Sequence, residues 1–122
     1  MADPTHYIWF TGEHNRVDGY VKVEYWAYVD RRDVCRAGML ALNVQGVMND
    51  AFLLSAIDTS VQTPTAELVE RFYADTPWKR DKDAYLAEHT HRALIDCHHA
   101  KEVLGWVPEH SWRDTVTNTE EN

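Results

Sequence analysis

The chain has 122 residues, 44% of them hydrophobic, with a formal net charge of −8 and a pI near 5.2. One domain is the default at this length, and it buries only about two-thirds of the surface its unfolded chain exposes. The acidic balance excludes a general nucleic-acid or anionic-membrane binder, which needs a basic face, and no apolar run approaches the roughly 20 residues of a membrane span. MADPTHYIWF has no basic stretch leading into an apolar one, so no secretory signal is expected. Cys35 and Cys97 lack a disulfide framework of spacings and read as reduced core residues, which points to a cytoplasmic protein.

Residues 1–24 form an irregular N-terminal segment. HYIWF is a short strand or an aromatic anchor, and GEHNRVDGY is a loop with its turn residues at Gly12, Asn15, Asp18 and Gly19. The central stretch is YWAYVDRRDVCRAGMLAL, Tyr25–Leu42. Tyr25, Trp26, Tyr28 and Val29 suit a strand. Asp33 is expected to cap a helix running to Asn43, with Val34, Ala37, Gly38 and Ala41 as a narrow face of small residues fit to lie on a sheet. Ala51–Ile57, AFLLSAI, is short, apolar and bounded by polar residues, the signature of a buried strand.

Thr63 and Pro64 open a second helix whose buried face is Leu68, Val69, Phe72 and Tyr73. Trp78–His91 reads as loop. Asp96 caps a helix over Cys97–Leu104, Gly105 closes it, and Pro108 prevents its continuation. Ser111–Asp114 resembles a capping box opening a last short helix, and residues 118–122 form a frayed tail. The sum is a small partial α/β domain of short strands and about four helices over residues 25–117.

Three segments resemble one known family. YVDRRDVCRAGMLAL, AFLLSAIDTSVQTPTAELVERFYAD and LIDCHHAKEVLGWVPEHSWRD are similar, in order and spacing, to the C-terminal part of the NAD-dependent epimerase/dehydratase family, the extended short-chain dehydrogenases/reductases. The LGWVPEHSWRD end is the most telling. The resemblance implies a substrate domain of a redox fold, with NAD(P) as the cofactor of the parent family and a sugar or similar alcohol as its substrate. The family's Rossmann half is absent. The glycines stand at 12, 19, 38, 46 and 105, no two within six residues, so no GxxGxxG turn exists to receive a pyrophosphate. No tyrosine has a lysine four residues on, so the family's catalytic Tyr-x-x-x-Lys pair is missing too.

The chain alone is therefore expected to hold no cofactor, to be non-catalytic, and to form a homo-oligomer or join a Rossmann-domain partner. A small-ligand module with a nucleotide-sugar-like cleft is the alternative, as is one half of a split enzyme. Where the resemblance implies an arginine for a diphosphate, this chain has Trp26, which leaves Arg31 and Arg32 as its candidate anion ligands. A solvated or ion-paired surface role is the plainer reading of both arginines. His89, His91 and Cys97–His99 suggest zinc by residue type, but neighbouring helical residues point about 100° apart and cannot all face one ion.

Overall fold

A computed structural model describes residues 17–46 and 49–114; HYIWF and the tail from 118 lie outside the described residues. A 3-10 helix, Tyr20–Glu24, leads to four α-helices: α1, Arg31–Asn43; α2, Thr65–Phe72; α3, Lys82–Ala87; and α4, His98–Leu104. The expectation of an α/β domain is overturned. Among the described residues there is no sheet, only an isolated antiparallel bridge between Asp58 and Arg92.

Both expected strands fail for a local reason. Tyr25 and Trp26 have φ of 56° and 55°, a left-handed pair that no strand accommodates. Such a conformation is costly for bulky residues, and here it turns the Trp26 indole into the core, where it is fully buried and donates to the Val17 carbonyl at 2.9 Å. AFLLSAI finds too few partners. The Ala56 amide donates to the Tyr28 carbonyl and the Ile57 carbonyl accepts from Ala93, but Phe52, Leu53 and Leu54 make no hydrogen bond.

The helices start elsewhere than expected. Asp30, not Asp33, caps α1, accepting from the Arg32 amide at 2.8 Å. Asp81 caps α3, a helix inside the stretch read as loop, by accepting from the Ala84 amide. α2 begins at Thr65 with no side-chain cap, so Thr63 does not serve. Asp96 does tie down the start of α4, accepting from the His98 amide at 2.9 Å. Gly105 ends α4 at φ 70°, and the amides of Gly105 and Trp106 donate to the carbonyls of Lys101 and Ala100. The Gly105-to-Lys101 bond is that of an αL closure, a conformation that glycine enters without strain.

Two apolar clusters form. Val21, Trp26, Val61 and Leu68 make one, joined by Phe72 and Tyr73. Ala37 of α1, Ala100 and Leu104 of α4, and Trp106 make the other, joined by Phe52 and Leu54. The segments around Tyr28 and Asp58 run between them and carry buried polar groups that must find partners inside.

Candidate functional site

Three buried aspartates organise the polar interior. Asp30 receives the Arg32 guanidinium at 2.9 Å through both oxygens as well as capping α1. Asp33 is fully buried. It accepts from Arg36 at 2.7 Å, from His110 Nδ1 at 2.8 Å, and from the amides of Glu109 and His110 at 3.2 and 3.1 Å. Burial pushes its carboxyl up, but Arg36, His110 and the two amides outweigh that and hold it below the usual carboxylate range. The Asp33 carbonyl also accepts from the Trp106 indole at 2.9 Å. Arg36 adds bonds to the Val107 carbonyl and to Glu109.

Asp58 performs the same task one segment later. Tyr28 Oη donates to it at 2.6 Å, Ser111 Oγ at 2.5 Å and Arg113 at 2.6 Å. The Trp112 amide donates to Tyr28 Oη, the Trp112 indole to the Thr59 carbonyl, and Arg113 to the carbonyls of Thr59 and Val61. Ser111 Oγ then accepts from the Arg113 amide, which starts the helical turn at Trp112 as its capping pattern predicts. Residues 106–113 are thus a strap, held to α1 by Asp33 and to the Asp58–Val61 turn by Asp58.

Tyrosine, serine and aspartate meet here, and the bonds they make run to one another and to the strap. Burial and the Asp58 charge raise the Tyr28 hydroxyl far above its ordinary value, so it stays a proton donor. Arg113 occupies Asp58, the carboxylate that the Ser111 hydroxyl meets.

The residues expected to bind substrate do not share a surface. Trp26 is closed within the first cluster against Phe72 and Tyr73. Arg32 is engaged by Asp30, and Arg31 stands exposed on the first turn of α1. Cys35 is exposed rather than in the core, while Cys97 is half-buried. Burial raises the Cys97 thiol, which leaves it a poor nucleophile at neutral pH.

A cleft of about 490 Å³ lies between α3 and α4, lined by Arg80, Tyr85, Arg92, Cys97 and Lys101 among others. An apolar extension of about 300 Å³ runs beside it past Trp78, Tyr73 and Leu94. The cations of the cleft are partly matched: Arg80 pairs with Asp96 at 2.8 Å, and Arg92 lies over the Tyr85 ring with Glu88 at 3.7 Å. The cleft thus brings the side chains of Arg80, Arg92 and Lys101 to one wall with the Tyr85 ring.

No family model, curated protein or solved structure matches the chain.

The remaining feature is a surface. The inner face of α1 packs Ala37 and Leu40 against the α4 cluster. Its outer face is also apolar: Val34, Cys35, Gly38, Met39, Ala41 and Leu42 are all exposed, Leu42 to 82% and Met39 to 61%. A helix apolar on both sides is ordinarily covered on both. Of Val34, Ala37, Gly38 and Ala41, the face expected to lie on a sheet, only Ala37 is buried; the other three are exposed, because there is no sheet among the described residues to cover them.

Proposed function

We propose that this chain is a docking unit, non-catalytic by itself, equivalent to a truncated C-terminal part of an NAD-dependent epimerase/dehydratase-like protein that self-associates or binds a partner. The outer face of α1 carries the reading, because leaving Val34, Met39 and Leu42 in water forgoes burial worth about 1.5–3 kcal/mol for each side chain. The strap, anchored by its buried Trp106 and Trp112, makes sense beside it. It holds α1 rigidly through Asp33 and Arg36, so the outer face is presented as a fixed surface.

Sedimentation equilibrium from micromolar to millimolar concentration tests this. Wild type is expected to associate, and Leu42→Glu, which places a charge on the face without touching the core, is expected to weaken association at least tenfold. A monomer at every concentration, with no complex on adding a Rossmann-domain partner, would sink the reading. Calorimetry with NAD is expected to show no binding by the chain alone, since no glycine-rich turn is present to take the pyrophosphate.

The cleft favours a second reading, a small-ligand module for a nucleotide-sugar-like compound. Arg92, Tyr85 and Lys101 would meet the anion and the ring. Heat on titrating nucleotide sugars, abolished by Arg92→Gln, is the outcome it requires.

A further inference from the structure

We propose that the cleft between α3 and α4 and the apolar recess beside it form one binding site for a small aromatic oxyanion, a flat ring carrying a phosphate or a carboxylate. This rests on the second reading above, that the cleft takes a small ligand, and names the chemical class of that ligand.

The two spaces are continuous, because Arg80, Tyr85, Ile95 and Asp96 line both. At about 490 and 300 Å³, both lie in the range of roughly 300–1,000 Å³ that small-molecule pockets occupy.

The cleft end calls for an anion. The Arg92 side chain is 27% exposed, yet its guanidinium makes no hydrogen bond among the described residues, and its Nε–H is buried without a partner. The Glu88 carboxylate stands 3.7 Å away, beyond hydrogen-bond reach. A charged planar fork short of acceptors is costly, and a phosphate or carboxylate is the group that meets it in bidentate fashion. Lys101, which also lines the cleft, has no ion pair among the described residues. Asp96 does not supply the missing acceptor, because it is held by Arg80 at 2.8 Å and by the His98 amide. Across the two spaces, Lys79, Arg80, Arg92 and Lys101 stand against Glu88 and Asp96. In a chain at −8, that is a local reversal of sign, and it attracts an anion.

The recess end calls for a ring. Tyr25 and Tyr73 line it with ring centroids 5.2 Å apart, and so do Trp78 and Tyr85 at 5.7 Å. Tyr25 stands on this wall from a left-handed backbone, φ 56°, which a bulky residue keeps only where its surroundings impose it. Aromatic faces and edges gathered in one recess stack a planar group. The ring wall and the basic wall meet at Tyr85, whose ring carries the Arg92 guanidinium at 5.0 Å. A ring in the recess therefore has its charged substituent beside Arg92.

Calorimetry on the full chain tests this with phenyl phosphate, phenylacetate, inorganic phosphate and benzyl alcohol. The better of the two aromatic anions should bind at least roughly tenfold more tightly than inorganic phosphate or benzyl alcohol, each of which fills one end only. Which aromatic anion binds better names the oxyanion. Lys101→Gln, at an exposed position, should keep the wild-type circular dichroism and raise the dissociation constant roughly fivefold. Arg92→Lys keeps the charge but loses the fork and should raise it roughly tenfold; if that variant does not fold, Lys101→Gln decides. Inorganic phosphate binding as tightly as phenyl phosphate overturns the ring site. Benzyl alcohol binding as tightly as either anion, or an unchanged constant in Lys101→Gln, overturns the basic wall. No heat from either aromatic anion at millimolar concentration overturns the class, and a nucleotide sugar that still binds then leaves the second reading standing.

Discussion

Asp33 shows how one carboxylate can serve two distant parts of a chain. Read locally, it is a helix cap; folded, it is an acceptor for the amides of residues 76 and 77 positions away. Asp33→Asn would keep the shape but turn an amide donor towards Arg36 or the strap amides. The expected cost is about 3 kcal/mol, seen as a lower urea midpoint with an unchanged slope. The pH sign follows from its lowered pKa. The folded chain keeps Asp33 ionised where the unfolded chain takes up a proton. Its contribution is complete above the ordinary carboxylate value of about 4 and is lost as pH falls through the lowered value. Asp33→Asn should flatten that acid limb in denaturation curves collected between pH 6 and 2. At Tyr28 the prediction is smaller. Tyr28→Phe leaves the Trp112 amide without its acceptor and Asp58 short of one donor, a loss of about 1–3 kcal/mol with the strap loosened, visible as faster amide exchange at Trp112.

At the scale of elements, two glycines make opposite predictions. Gly105 sits at φ 70° with open space around it, so Gly105→Ala is expected to lower stability by about 1 kcal/mol through backbone strain alone. Gly38 lies within α1 with nothing within 4 Å of an added Cβ, and Gly38→Ala is expected to stabilise the monomer by about 0.5–1 kcal/mol in thermal melts. α1, α2 and α4 were readable from their apolar period, α4 also from Asp96 and Gly105, whereas Thr63 does not cap α2. The cap of α1 was not readable, because aspartates at 30 and 33 are equally good local caps and only the strap, by engaging Asp33, leaves the task to Asp30. α3 escaped because DKDAYLAE buries no residue and so shows no apolar period. AFLLSAI has the composition of a strand, yet a strand is defined by what pairs with it, and here only its last residues are paired.

The whole chain is acidic, with a net charge of −8, which fixes the sign of its response to salt. If copies meet through the outer face of α1, raising ionic strength from about 50 to 500 mM screens the repulsion between two −8 chains and should tighten association. An ion-paired interface would respond in the opposite direction, and sedimentation at the two salt concentrations separates them. No helix among the described residues is long and apolar enough to cross a membrane.

Net charge, the missing glycine-rich turn and the positions of three helices are properties of composition and local order, and they stand without any fold. Tertiary structure alone decided the rest: that Trp26 is sealed inside rather than set for a ligand, that Asp33 and Asp58 hold the strap, and that the outer side of α1 is exposed among the described residues. The reason is that exposure and hydrogen-bond partnership are relations between residues far apart in the chain, which no local pattern encodes.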